Sequence, residues 1–420
     1  MGMTITEKII AAHAGLAVVE AGQYVTVKAD VVMGNDLSTA GAIGVLRKME
    51  ARRVFDPERI VVVLDHLAPA KDIAAASMLK SVRTWVREQG ITHFFDEGRQ
   101  GIAHVVLPEQ GLVGPGDLVI GGDSHSCTYG AVGCVSVGVG HTDLAGVMAL
   151  GETWLKVPAS MRFVYRGTPG RFVMGKDLIL ATIGRIRIEG ALYQAMEFTG
   201  PVIAAMGMSE RLTICNMAIE AGAKSGIIAP DDVTLAYVTG RAKRPWTVYQ
   251  SDPGARYAAE HEFDVTGMRP QVAKPYSPDN VVPVDEVTGT KLDQVFIGSC
   301  TNAKLEDLRI AAAILRGRKA HPYTRLIVIP ASTWIWQQAL KEGLLEIFSD
   351  AGAAVSTPTC GACFGGHMGI LGKGEVCLST TNRNFVGRMG DPTAQSYLAN
   401  PAVAAASAIR GEIVAPEEVA

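Results

Sequence analysis

Aromatic residues make up only 6% of the 420-residue sequence, although 48% of it is hydrophobic. The core must therefore be filled by aliphatic side chains and alanine, and 46 glycines suit tight turns between strands and helices. No excess of one charge stands out. The 39 basic and 42 acidic side chains leave a formal charge of −3, so no basic field is available for nucleic acid, and an RNA-binding role is not expected. Long apolar runs are missing as well. The longest uncharged stretches end at Pro401 or are broken by glycine, as in AVGCVSVGVG, and neither makes a membrane span. The start, MGMTITEKIIAAHAG, lacks a basic region followed by an apolar one, and Glu7 falls inside it, so it does not read as a signal peptide. Gly2 and Thr6 fit the loose myristoylation pattern, but Thr4 and Glu7 read better as the capping box of a helix running to about Ala14. The seven cysteines are Cys127, Cys134, Cys215, Cys300, Cys360, Cys363 and Cys377. That odd count argues against a secreted disulfide framework and for a reduced, cytoplasmic setting.

What is present is a repeated alternation of buried strand and amphipathic helix. RIVVVLDH is a run of Val and Ile without polar alternation, as expected of a parallel strand covered on both faces, and it ends on Asp65-His66. AASMLKSVRTWVREQG is an amphipathic helix closed by Gly90. YVTVKADVVMGND reads as one strand, and ITHFFDEG and IAHVVLPEQG as short extended segments. GDLVIGGDSHSCTYGAVG is another strand, delivering Asp123-Ser124-His125 to a polar turn. A boundary is expected near Lys156-Val157-Pro158. The stretch Thr266–Leu292, with four prolines and no clear period, reads as an extended inter-domain connection. Beyond it KLDQVFIG, RLIVIP and AGAAVS alternate with helices, which makes an α/β domain with a mostly parallel sheet. In such sheets ligands bind at the carboxyl ends of the strands.

Those ends carry the reactive residues. Cys300 follows the strand DQVFIG, and Cys360 and Cys363 form a C-x-x-C after AGAAVS in a loop of small residues. The glycines around them allow backbone to approach a bulky group. By spacing alone, zinc, an iron–sulfur cluster and a redox dithiol all remain open. Cys127 also remains open as a further ligand, whereas Cys377 in EVCLS, Cys134 and Cys215 read as core. Asp65-His66 and Asp123–His125 pair carboxylates with imidazoles, the arrangement suited to moving protons near neutrality. His104 alone reads as a core histidine. Asn216 and Glu220, four apart, share a face of a predicted helix. Arg383 and Arg388 lie in a Gly- and Asn-rich loop with Asn382, and arginine's planar fork suits carboxylates.

FIGSCTN, TPTCGACFGGHMG, TTNRNFVGRMG and DSHSCTYGAVG together resemble the aconitase superfamily, over nearly the whole chain to PAVAAASAIRGEI. The chain is similar to the short large subunits of 3-isopropylmalate dehydratases and homoaconitases, which lack the swivelling domain. The resemblance implies three α/β domains packed around an iron–sulfur cluster, with aconitase-like domains at residues 1–158, 159–275 and 276–420. It implies one [4Fe–4S] cluster per subunit held by Cys300, Cys360 and Cys363, with one iron not ligated by protein. Asp65, His66, His104, Asp123, His125 and Glu220 take catalytic roles in that reading. Ser124, Asn216, Asn382, Arg383 and Arg388 bind substrate. The reaction would be a dehydration and rehydration that isomerises a 2-hydroxy di- or tricarboxylate, with 3-isopropylmalate dehydratase of leucine biosynthesis placed first. Homoaconitase and dehydratases of 2,3-dimethylmalate, methylmalate (citraconate) or maleate are alternatives. The base that removes the carbon proton would be a serine on a small subunit carrying the swivelling domain, in a heterodimer or heterotetramer. Two segments depart from the family pattern. No glutamine stands near NDLSTAGAI, where many members have a substrate contact and this chain has Gly41 or a neighbour, and GRIRIEGALYQAMEF is atypical of an isopropylmalate enzyme.

Anaerobically purified protein is expected to contain iron and acid-labile sulfide. Zinc without sulfide would instead identify a zinc-stabilised binding protein, the competing non-enzyme reading.

Overall fold

The computed structural model of the chain describes residues 2–419. Three sheets organise it, two parallel and one mostly so. The first has five strands in the order His93–Phe95, Ile60–Val63, Val31–Asn35, Leu118–Gly121, Val135–Gly138, all parallel. The second has four parallel strands: Ser225–Ile227, Ala195–Thr199, Ser160–Arg166 and Ala259–Asp264. The third has seven. Five are parallel, in the order Gln395–Leu398, Val376–Ser379, Gln294–Ile297, Arg325–Val328, Ala354–Val355, and an antiparallel hairpin of Gln271–Ala273 and Val281–Pro283 lies on one edge. In the first sheet strand order reverses between Val31–Asn35 and Leu118–Gly121. In the third it reverses between Val376–Ser379 and Gln294–Ile297. Such switch points open a crevice at the carboxyl ends of the strands.

Local chemistry explains most element boundaries. Thr4 and Glu7 form the expected capping box, and the helix Ile5–Ala14 stops at Gly15 in the left-handed region. The helix Ile73–Gln89 ends at Gly90, also left-handed. Ile60–Val63 and Leu118–Gly121 are buried at every position, as covered parallel strands should be.

Four readings change. YVTVKADVVMGND splits in two: Tyr24–Lys28 alternates between exposed and buried and pairs antiparallel with Glu152–Lys156, whereas Val31–Asn35 is buried throughout. IAHVVLPEQG is not extended but contains the helix Ala103–Glu109. Its own first residues offer no side-chain cap, and the Asp65 carboxylate accepts from the Ala103 amide at 2.9 Å instead. A short apolar run is ambiguous by period alone, and here a distant carboxylate decides it. The predicted helix through Asn216 and Glu220 ends at Asn216 and continues as a 3-10 turn, Met217–Ala221. The Pro-rich stretch contains the hairpin at the edge of the third sheet.

The turn that follows Leu118–Gly121 is a 3-10 stretch, Ser124–Val132, laid directly on the strand Ser225–Ile227 of the second sheet. Ile228 donates to the Gly130 carbonyl at 3.0 Å. A β-carbon on Gly130 would sit 1.7 Å from the Gly226 carbonyl oxygen, so only glycine permits this approach. Gly130→Ala is therefore expected to lower stability by about 2–3 kcal/mol, read by denaturant unfolding; an unchanged midpoint would mean that the two backbones do not touch.

Candidate active site

The carboxyl ends of the first and third sheets face each other across one small cavity. From the first come Asp65 and His66 behind Ile60–Val63, and Asp123 and His125 behind Leu118–Gly121. His104 arrives on the helix Ala103–Glu109. The third sheet supplies Cys300, in a one-turn helix after Gln294–Ile297, and Cys360 and Cys363, in the loop after Ala354–Val355. Asn382 and Arg388 complete the wall from the loop after Val376–Ser379.

Each histidine has a carboxylate. His66 Nδ1 lies 2.7 Å from Asp65 Oδ1 and 3.4 Å from Asp36 Oδ1. Burial works against charge on His66, but these two carboxylates outweigh it and hold the imidazole well above its usual range. His104 Nε2 lies 3.0 Å from Asp123 Oδ1, and its Nδ1 3.2 Å from the Tyr129 hydroxyl. The His125 amide donates to Asp123 Oδ1 at 2.8 Å, while His125 Nε2 lies 2.7 Å from Glu220 Oε1. Burial would raise Asp123, yet its hydrogen bonds with His104 and His125 hold it well below the usual carboxylate range. Glu220 in turn accepts from Arg383 Nε at 2.8 and 2.9 Å. Burial would raise Glu220 too, and the Arg383 charge holds it down.

The three thiols are buried and unbridged. Asn216 Nδ2 donates to Cys300 Sγ at 3.1 Å, Asn382 Nδ2 at 3.5 Å, and the Ser299 hydroxyl lies 3.5 Å from Cys363 Sγ. Such donors stabilise thiolate sulfur once a metal replaces the proton. Burial pushes the free Cys300 thiol up to about 12. Among the described residues, the one set of three His, Cys, Asp or Glu donor atoms lying within 4.8 Å of each other is Asp65, His66 and Cys360. The three sulfurs are thus spread wider than a single tetrahedral ion allows, with Zn–S bonds of about 2.3 Å. A polynuclear cluster fits the three together better than one zinc ion, whereas Asp65, His66 and Cys360 could hold a single ion. Cys127 points elsewhere, 3.3 Å from the Asn216 carbonyl, and Cys377 is buried within its strand.

Four predicted residues stand off the cavity wall: Ser124, Asn216, Glu220 and Arg383. The last three act one layer behind it. Asn216 links Thr128, Cys300 and Asn382, and Glu220 joins His125 to Arg383. The two arginines therefore differ. Arg383 is committed to Glu220, whereas Arg388 Nε is buried without a hydrogen-bond partner. Sequence reasoning passed over Asn35, Asp36, Tyr129, Lys176 and Lys304. Asn35 caps the helix Asp36–Lys48 and donates to Asp123 Oδ2 at 3.3 Å. Asp36 is fully buried, takes the His66 and Leu67 amides, and faces the His66 ring. The signal for both was present: NDLS begins a helix at the carboxyl end of a buried strand.

A model of the aconitase family (aconitate hydratase) matches residues 7–411. The 3-isopropylmalate dehydratase large subunit of Aquifex aeolicus is 59% identical, over 100% of this chain and 98% of that one. The protein of the same name from Moorella thermoacetica is 59% identical over 100% of both. Among solved structures, aconitase X (holo-form) of Thermococcus kodakaraensis superposes with a TM-score of 0.50 at 12% identity, covering 91% of this chain and 94% of that one, so the two share a fold.

Glu220→Gln would leave the partly buried Arg383 guanidinium without its carboxylate. In the isolated chain at neutral pH this is expected to cost ~3 kcal/mol, read by denaturant unfolding. Because the folded Glu220 pKa lies below its ordinary 4.5, its stabilisation is complete above that value and is lost as pH falls through the folded one. The stability difference between wild type and Glu220→Gln should therefore shrink on acidification, and a pH-independent difference would contradict the pairing.

Proposed function

The chain belongs to the aconitase family, and from that premise we propose that it is the large subunit of a 3-isopropylmalate dehydratase, the hydro-lyase that interconverts 2- and 3-isopropylmalate in leucine biosynthesis. The observation that carries the reading is the meeting in one cavity of three buried thiols, three carboxylate-paired histidines and Arg388, whose buried Nε has no hydrogen-bond partner. Full-length identity to 3-isopropylmalate dehydratase large subunits supports this substrate over homoaconitate, dimethylmalate, citraconate or maleate. The spread of the sulfurs disfavours one zinc ion bound by all three cysteines.

In this reading Cys300, Cys360 and Cys363 hold one [4Fe–4S] cluster, with one iron left without a protein ligand. When bound, that group supplies a Lewis acid for the substrate hydroxyl. The residues of the chain supply the rest. Arg388, whose Nε has no protein partner, takes a substrate carboxylate in its fork. Arg383 takes another with the nitrogens that Glu220 leaves free, and Glu220 keeps its guanidinium oriented. His66, held protonated by Asp65 and Asp36, donates a proton to the departing hydroxyl, which as hydroxide would be a poor leaving group. Asp123 and Glu220 orient His104 and His125, which pass protons to and from water during the elimination and its reversal. Asn216 and Asn382 keep Cys300 oriented, and Ser124 lies at the start of the turn that carries His125. The base for the carbon proton comes from a small subunit carrying the swivelling domain. Residues 1–158, 159–275 and 276–420 are the three domains that build this half of the site.

The test is anaerobic co-expression with the small subunit, with alkene absorbance followed on 2- and 3-isopropylmalate. Turnover is expected from the complex and not from this chain alone. Absence of turnover of either acid by a cluster-loaded complex would sink the assignment. Arg388→Ala in that complex is expected to lower kcat/KM by about 10- to 100-fold, the worth of one charge-assisted carboxylate contact.

A further inference from the structure

Lys176 is fully buried, yet it stands in the first turn of the helix Gly175–Ile186, where the helix dipole disfavours a cation. Its Nζ donates to the backbone carbonyls of Thr380, at 3.1 Å, and Thr381. Among the described residues no carboxylate lies within 4.0 Å of it. Carbonyls offer dipoles but no counter-charge, and a buried ion without one is costly. Burial pushes the Lys176 amine down to about 7 and neighbouring Lys304 acts in the same direction, whereas Cys363, Asp177 and Asp307 favour its charged form. Both carboxylates are already committed. Asp177 accepts from the Met174 and Gln271 amides and from Asn400 Nδ2, and Asp307 takes Lys304 and Asn302. Cys363 is the acid among these groups without such a charged or amide partner.

The two carbonyls that Lys176 holds belong to the residues immediately before Asn382 and Arg383. Thr301 Oγ1 donates to the same Thr380 carbonyl at 2.9 Å, and Thr380 Oγ1 both accepts from the Gly298 amide and donates to the Gly298 carbonyl at 3.0 Å. The turn carrying Cys300 and the turn carrying Asn382 are thus laced together, with Lys176 behind them. Ser299, at φ 79, is held in the left-handed region inside this lacing. Lys304 clamps the Thr301 carbonyl from a neighbouring position, but its ammonium is neutralised by Asp307 at 3.2 Å. The two buried lysines therefore have different electrostatic settings.

We propose that Lys176 is a positioning residue that clamps the Thr380–Thr381 turn against the turn carrying Cys300, and whose ammonium is the counter-charge on the Cys363 side of the three-thiolate set. The inference rests on the cluster reading above, since a cluster held by three thiolates is the anion that the ammonium would face. Removing the cation makes reduction of that anion harder and its ligation weaker.

The test uses the whole chain, reconstituted anaerobically as wild type, Lys176→Met, Lys176→Gln and Lys176→Arg. Midpoint potential is read by titration monitored by electron paramagnetic resonance, and iron retention by challenge with a chelator. The Met and Gln variants are expected to show a more negative midpoint and about 10-fold weaker iron retention, and the Arg variant to stay nearer to wild type. If Lys176→Met does not fold, Lys176→Gln, which keeps an N–H donor without the charge, carries the test. A Gln variant with wild-type midpoint, spectrum and iron retention overturns the proposal, as does an Arg variant displaced as far as Gln. Wild-type protein without acid-labile sulfide overturns the cluster reading instead, so the two failures are distinct.

Discussion

Asp65 is the residue on which the rest of the site depends. Its carboxylate accepts from the Ala103 amide and pairs with His66, while its carbonyl accepts from the Cys360 amide at 2.8 Å and the Thr359 hydroxyl at 3.0 Å. One residue at the end of a buried strand thus starts the helix that carries His104, fixes the ring and favours the charge of His66, and anchors the C-x-x-C loop of a different sheet. All four bonds are made by a side chain and a peptide group that are buried, where a lost partner costs more than at a surface. The histidine side and the cysteine side of the cavity are therefore mechanically one unit.

Charge is arranged by the same economy of partners. His66 lies between Asp65 and Asp36, Asp123 between His104 and His125, and Glu220 between His125 and Arg383. Each buried carboxylate of the array meets a histidine or an arginine, so its desolvation is offset and the array is held rigid. The exceptions stand out against that rule. Arg388 has a buried Nε without a partner at the wall, and Lys176 has only carbonyls behind it. One is open toward where a substrate carboxylate would sit and the other toward where thiolates would. An under-partnered cation in an otherwise paired array is what an anionic ligand and an anionic cofactor require of the protein.

Much of the fold was legible because parallel strands and their helices announce themselves locally. RIVVVLDH, GDLVIGG and DQVFIG are apolar runs without alternation, and each proved to be a fully buried strand. The candidate ligands were legible for the same reason, being the polar residues at the ends of those strands. His104 was legible only through the family resemblance. In GIAHVV nothing local separates helix from strand, and the helix forms because a carboxylate 38 residues away captures its first amide. Asp36 was missed because its neighbours NDLS read as a helix start, which they are, without showing that the His66 ring lies beside it.

By itself the sequence determined the α/β class, the strand ends and the residue types that collect there, since these follow from hydrophobic period, capping chemistry and spacing. It also carried the family, through motifs covering almost its full length. Only the tertiary structure decided which of those residues meet. Two sheets turn their switch points toward each other, and residues 65, 104, 125, 300, 360 and 388 become neighbours although hundreds of positions separate the first from the last. The tertiary structure alone also separated two arginines five residues apart, giving Arg383 to Glu220 and leaving Arg388 free. The physical reason is that pairing in a buried array depends on direction and on which partners are already taken, and neither is written in the spacing of a chain.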